Sequence, residues 1–98
     1  MRESIISKKK LREFWEQHLK AQSPLEAWYQ VACNAEWDSF ADVRKTFNTA
    51  DQVGKFTVFN IGGNKYRLIA VIHFNRGILY VRHMLTHSEY DEEKWKNE

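Results

Sequence analysis

The chain has few cysteine, proline and glycine residues and lacks a long apolar run. Its 98 residues include one cysteine, one proline and four glycines. A lone cysteine forms neither an internal disulfide nor a cysteine metal cluster, which suits a reducing compartment. The longest apolar run, residues 68–72, is far below the ~20 residues of a membrane-spanning helix. The lysines at 8–10 precede no apolar segment of the signal-peptide kind. We therefore expect a soluble cytoplasmic protein with no membrane association, metal or cofactor, and a single domain over residues 1–98.

Acidic residues are scarce in one long segment, residues 44–87. The segment holds seven Lys/Arg residues and one acid, Asp51, so its charge is +6, and the rest of the chain carries −4 to give the total of +2. Clustered charge of one sign usually faces a partner of opposite charge. Phosphate fits because its neutralisation releases counterions and gives salt-dependent binding. No glycine-rich phosphate loop or nucleophile elbow is present. The segment therefore points to RNA.

The order of the predicted elements indicates the α+β class. Helical periodicity and capping signals dominate residues 7–47, and Ile5–Ile6 is a candidate N-terminal strand. Glycine-containing turns then separate three segments rich in β-branched and aromatic residues. These predicted strands are Lys55–Ile61, Tyr66–Phe74 and Ile78–Leu85. We expect a small antiparallel sheet built on a three-strand C-terminal meander, with the N-terminal helices packed on one face and a short terminal helix capped by Ser88.

Strand alternation predicts where the basic side chains lie. In the second strand of the meander, Arg67 shares a face with Ile69 and Val71. In the third strand, strict alternation places His83 on the face of Val81 and Arg82 on the opposite one. Arg67 is near the start of its strand and Arg82 near the end of the antiparallel neighbour. We therefore expect Arg67, Arg82 and the segment 86–90 to converge on one edge of the sheet.

Three motifs in this order resemble the HigB family of bacterial toxins. They are Phe59–Leu68 (FNIGGNKYRL), Tyr80-Val81-Arg82 and Thr86–Asp91 (THSEYD). The resemblance implies a RelE-like fold and an mRNA interferase, the toxic half of a type II toxin–antitoxin pair. It also implies metal-independent cleavage of messenger RNA, usually on the ribosome. The implied partner is a cognate antitoxin, commonly with a helix-turn-helix DNA-binding domain, that silences the toxin.

Metal-free RNA cleavage uses the ribose 2′-OH as nucleophile, and the residues supply candidates for each role. The reaction needs a base, an acid and positive charge for the developing phosphorane. His87 is the candidate for proton transfer, because imidazole titrates near neutral pH. Arg67 and Arg82 suit a phosphate clamp, since a guanidinium grips two oxygens. Tyr90 is a candidate for stacking on a base or orienting the 2′-OH. Further candidate RNA contacts are Lys55, Lys65, Arg76 and Lys94.

Structural roles remain open for the same residues. Arg67 is equally suited to an ion pair with Glu89 or Asp91, His87 to fixing its own turn, and Tyr90 to core packing. Whole-protein alternatives also remain. One is a non-catalytic RNA- or ribosome-binding module that stacks bases on strand aromatics. Another is a gyrase-poisoning toxin on the same fold, and a third is a protein-interaction domain with an acidic partner.

Overall fold

The computed structural model describes residues 4–97, so residues 1–3 and 98 of the predicted 1–98 domain lie outside the described residues. The elements in chain order are β1 (Ser4–Ile6), α1 (Lys8–Gln17), a 3₁₀ turn (Leu19–Ala21), α2 (Gln22–Cys33), α3 (Phe40–Thr46), β2 (Asp51–Val53), β3 (Phe56–Ile61), β4 (Tyr66–His73), β5 (Ile78–Thr86), α4 (His87–Asp91) and a second 3₁₀ turn (Lys94–Asn97). Within residues 4–97, no helix has the length and apolar content to cross a bilayer.

The described strands form one sheet in the order β1-β5-β4-β3-β2. Strands β2 to β5 pair in antiparallel fashion, and β1 pairs with β5 in parallel. The predicted α+β class and the candidate N-terminal strand are therefore confirmed. The sheet is mixed rather than purely antiparallel, and β2 extends the meander by one strand. The segment Asp51–Val53 has too few β-branched residues to predict a strand, and its pairing with β3 across a tight turn at Gly54 (φ 59°) supplies the missing signal.

The helices cover one face of the sheet, as predicted. Alternate residues of β3, β4 and β5 point into this layer, including Phe59, Leu68 and Leu79. They meet the apolar stripes of α1, α2 and α3 and an aromatic cluster in which the Trp28 and Phe59 rings lie 5.3 Å apart. Such ring pairs add to the apolar area removed from water. This layer is the main core, and it holds the sheet rigid beneath the opposite face.

The opposite face of the sheet is covered in part by the end of the chain. Phe56, Val58 and Ile69 form a second apolar cluster, closed by Trp95 from the terminal 3₁₀ turn. The Trp95 indole meets the Phe56 ring edge-on at 5.7 Å, and its Nε1 donates to the Tyr90 carbonyl at 3.0 Å. These contacts anchor the segment 87–97 across the sheet. Both faces of β3 and β4 are thus buried, although by unequal layers.

A bulge in β5 overturns the alternation predicted for its second half. Ala70 pairs with Val81, but Ile69 pairs with His83, so Arg82 is the extra residue. Leu79 and Val81 pack in the main core, whereas His83, opposite Ile69, lies on the other face. The prediction that His83 shares a face with Val81 is wrong. An extra residue reverses the side-chain period beyond it, and sequence alternation alone does not reveal it.

Candidate functional site

The junction between β5 and α4 is fixed by a capping box. The Thr86 hydroxyl accepts from the Glu89 N–H at 3.3 Å, and the Glu89 carboxylate accepts from the Thr86 N–H at 2.9 Å. The helix therefore begins one residue after Thr86, and the prediction that Ser88 caps it is wrong. Thr86 has the extended backbone that an N-cap needs, whereas Ser88 is already helical. Glu89 is engaged in the cap.

Arg67 is a buried cation on the partly covered face of the sheet. Its side chain is 8% exposed and belongs to β4. The guanidinium donates to the Asn64 side-chain oxygen and, at 3.2 Å, to the Tyr66 carbonyl. Neither partner is charged, and within residues 4–97 no carboxylate forms an ion pair with Arg67. Burying a charge without an ion-pair partner is unfavourable, and these neutral contacts leave the positive charge of the guanidinium uncompensated by any described carboxylate.

Tyr90 is stacked between the end of the chain and Arg67. Its ring lies nearly parallel to the Trp95 indole, with centroids 5.1 Å apart and an interplanar angle of 15°. The Arg67 guanidinium carbon lies over the same ring, 5.3 Å from its centroid. Cation–π contact orients the guanidinium without neutralising its charge. Both of these contacts are made by the ring and not by the phenol hydroxyl.

A cleft of about 320 Å³ opens beside this pair. Arg67 and Tyr90 form one side, and the end of α3, the following loop and β2 form the other. Its floor is β3, where Asn60 pairs directly with Arg67. The lining residues are Arg44, Asn48, Thr49, Ala50, Asp51, Val58, Asn60, Arg67 and Tyr90. The cleft therefore combines two cations with amide, hydroxyl and carboxylate groups, a set suited to a nucleotide more than to an apolar ligand.

His87 lies at the same end of the sheet as Arg67. Its backbone N–H donates to the Lys65 carbonyl at 3.1 Å, two residues before Arg67. Its Nδ1 lies 3.1 Å from an Asp91 carboxylate oxygen, one helical turn along α4. With Nδ1 engaged, Nε2 is the nitrogen free to exchange a proton with a ligand. Both side chains are solvent-exposed, so the pair is accessible.

The other predicted site residues are dispersed. The cleft lining, within residues 4–97, includes neither Arg82 nor His87. Arg82 lies in the β5 bulge on the α1 side, where its carbonyl accepts from the Lys10 ammonium at 3.0 Å. Lys65 lies in the β3–β4 turn near the cleft, and Lys94 is 3.3 Å from Glu92 on the terminal segment. Lys55 and Arg76 occupy turns at the opposite end of the sheet.

Sequence reasoning missed part of the cleft. Asn60 was discoverable, because it is the polar member of an alternating set with Phe56 and Val58 on β3. Arg44 and Asn48 gave no such signal, since only the tertiary fold brings α3 and its loop to β4. As for metals, the described residues contain no group of three or more His, Cys, Asp or Glu side chains placed to hold an ion.

Comparison with known proteins identifies the family. Residues 21–93 match the model of the HigB toxin family, described as the RelE-like toxic component of a toxin-antitoxin system. This chain belongs to that family. The resemblance seen in the three motifs is thereby confirmed, and the chain is a toxin of a toxin–antitoxin system.

Curated relatives of this HigB-family chain agree with the assignment. It is 28% identical over 90 residues to the mRNA interferase toxin HigB of Escherichia coli K12, covering 89% of this chain and 86% of the relative. It is 30% identical over 91 residues to the mRNA interferase HigB of Escherichia coli O6:H1, covering 90% and 88%. The mRNA interferase HigB of Shigella flexneri is 28% identical with coverage of 89% and 86%. The similarity spans nearly all of each chain.

Proposed function

We propose that this toxin is an endoribonuclease that cleaves messenger RNA on the translating ribosome. The single RelE-like domain, residues 1–98, acts in the cytoplasm, where translation takes place, and a cognate antitoxin with a helix-turn-helix DNA-binding domain silences it. The observation that carries the proposal is the buried Arg67 guanidinium, which has no carboxylate partner among the described residues and lies beside a polar cleft. The names of its relatives as mRNA interferases support the same substrate.

The reaction proceeds by attack of the ribose 2′-oxygen on the adjacent phosphorus. The O2′–P bond forms and the P–O5′ bond breaks, which leaves a 2′,3′-cyclic phosphate and a 5′-hydroxyl. Arg67 donates to the non-bridging oxygens as their negative charge grows. The mechanism is metal-independent, because this guanidinium supplies the charge that a cation would otherwise provide.

Proton transfer falls to α4, which carries both His87 and Tyr90. His87 Nε2 is the protein's proton-transfer atom, held in place through Nδ1 by Asp91, and solvent water exchanges the other proton, so that the 2′-OH loses one proton and the departing 5′-oxygen gains one. The Tyr90 hydroxyl orients the 2′-OH. Arg82, in the bulge beside α1, contacts the RNA backbone outside the cleft and holds the message in register. Lys65, close to the cleft, also contacts the RNA backbone. Further from the cleft, the same role falls to Lys55, Arg76 and Lys94.

Inducible expression with mapping of new 5′-hydroxyl ends on a translated message tests the proposal. We expect growth arrest and new 5′-hydroxyl ends on the message, and the new ends should be absent when translation is blocked. His87→Gln should slow cleavage at least ~10²-fold, whereas Gln30→Ala on the exposed surface of α2 should not. Arrest without new ends would instead indicate a gyrase poison or a non-catalytic ribosome binder.

A further inference from the structure

Asn60 is a polar residue on a face of β3 whose preceding residues are apolar and buried. It follows Phe56 and Val58 on the same face of β3, and those two are 4% and 2% exposed in the second apolar cluster. Asn60 instead lines the cleft and is half-buried. Within residues 4–97 its side-chain amide forms no hydrogen bond. A half-buried amide without a protein partner is costly unless water or a ligand satisfies it.

The groups around Asn60 form a graded row across three neighbouring strands. Arg67 on β4 is the register partner of Asn60 on β3, and Asp51 on β2 pairs with Val58 on the same face. Asp51 pairs with Val58, two residues before Asn60, so Arg67 and Asp51 are two strands and two residues apart, a backbone separation of about 12 Å along a diagonal. That span matches one nucleotide, from its phosphate to the edge of its base. Charge changes along the row from cation to amide to carboxylate.

The carboxylate end of the row favours a base over a second phosphate. Asp51 repels phosphate and accepts hydrogen bonds, and one of its oxygens is held by the Gln52 N–H at 2.9 Å. The other oxygen is available to an amino group. An amide beside it offers one donor and one acceptor, the pattern that reads base edges. Uracil lacks an exocyclic amino group, whereas adenine, cytosine and guanine each have one.

We infer that Asn60 and Asp51 select the base next to the cleaved phosphodiester, and that they favour bases with an exocyclic amino group. This rests on the proposed function, because the base is placed by the phosphate that Arg67 binds. A bidentate contact to a base edge discriminates by ~1–3 kcal/mol, which corresponds to about 5- to 150-fold. The preference is therefore expected at one position flanking the cut, with uracil disfavoured there by at least about fivefold.

End-mapping on a translated message with randomised codons tests the inference. In the wild-type toxin, uracil should be depleted at one position beside the cut. Asn60→Ala and Asp51→Asn should each keep cutting but reduce that depletion to less than about twofold. Asn60→Asp preserves shape and replaces the amide donor by an acceptor, so it should change which bases are preferred. Asn75→Ala, in the exposed β4–β5 turn away from the cleft, is the matched control and should retain the wild-type pattern.

Three results would overturn the inference and leave cleavage itself intact. They are equal cutting at all four bases by the wild type, an unchanged preference in both Asn60→Ala and Asn60→Asp, or equal loss of cutting at every base in Asn60→Asp. The last result would place Asn60 in the chemical step. Complete absence of cutting by the wild type would instead reject the proposed function. Circular dichroism of each variant separates these results from unfolding.

Discussion

The Arg67 guanidinium is held by a carbonyl, an amide oxygen and a phenol ring, at 8% exposure. Hydrogen bonds to neutral groups recover only part of the hydration that the cation loses. The residue is therefore poorly explained by stability and well explained by an anionic ligand. Its position between Asn60 and Leu85 in the sheet register gives the charge a fixed location.

Replacement of Arg67 by methionine should separate function from stability. Met fills a similar volume without a buried charge, so we expect the free energy of unfolding to stay level or rise by ~1–2 kcal/mol. Cleavage should fall at least ~10²-fold, because a transition-state donor is lost. Urea unfolding and end-mapping measure the two effects. Arg12→Met, on the exposed surface of α1, is the control. A loss of more than about 2 kcal/mol in Arg67→Met would make Arg67 a structural residue.

At the scale of the element, α4 has only five residues, too few for intrinsic helix stability. Its start depends on the Thr86–Glu89 capping box. Its end depends on the Trp95 indole, which donates a hydrogen bond to the Tyr90 carbonyl and stacks on the Tyr90 ring. The helix carries His87 and Tyr90. The capping box therefore positions two candidate site residues at once.

Removing the Thr86 cap should lower the activity of the site without replacing any of its candidate residues. Thr86→Ala should lower the free energy of unfolding by ~1 kcal/mol and reduce kcat more than it changes KM, because α4 frays at the end that holds His87. Ser88→Ala, two residues later, is matched in size of change and makes no cap, so it should stay within ~0.5 kcal/mol of the wild type. Equal effects of the two substitutions would contradict this role for the capping box.

At the scale of the whole molecule, positive charge is concentrated in residues 44–87, and most of the compensating net negative charge lies in residues 88–98, which hold five acids and two lysines. The segment 44–87 has a net charge of +6, whereas the whole chain has a net charge of +2. If Arg44, Lys65, Arg67 and Arg82 each neutralise one phosphate, single-strand RNA affinity should fall about 50-fold between 50 and 200 mM salt. Filter binding with a 2′-deoxy substrate measures this slope.

The salt dependence of RNA affinity also shows which basic residues contact phosphate. Arg44→Ala and Arg82→Ala should each make the slope shallower by about 0.7, the contribution of one phosphate on a single strand. Lys20→Ala, at the exposed turn before α2, should leave the slope unchanged. A slope near zero for the wild type would favour an acidic protein partner over RNA.

Local patterns in the chain were enough to predict most of the scaffold. Residues 66–74 and 78–85 had strong β character between glycine turns, and β4 and β5 occupy almost the same ranges. The pattern failed at β2, where three residues carry too little signal, and at Arg82, where a bulge reverses the alternation. Both failures reflect pairing with a neighbouring strand, which no local window contains.

The sequence by itself determined the α+β class, the family and the presence of Arg67, His87 and Tyr90 in adjoining motifs. The class follows from local periodicity, and the family follows from the resemblance of three motifs to known toxins; both are properties of contiguous segments. Only the tertiary structure decided that Arg67 and Tyr90 share a cleft with Arg44, Asn60 and Asp51, and that Arg82 lies beside α1 instead. The reason is that strand register, a single bulge and the docking of the chain's end are set by long-range packing, and they determine which distant side chains meet.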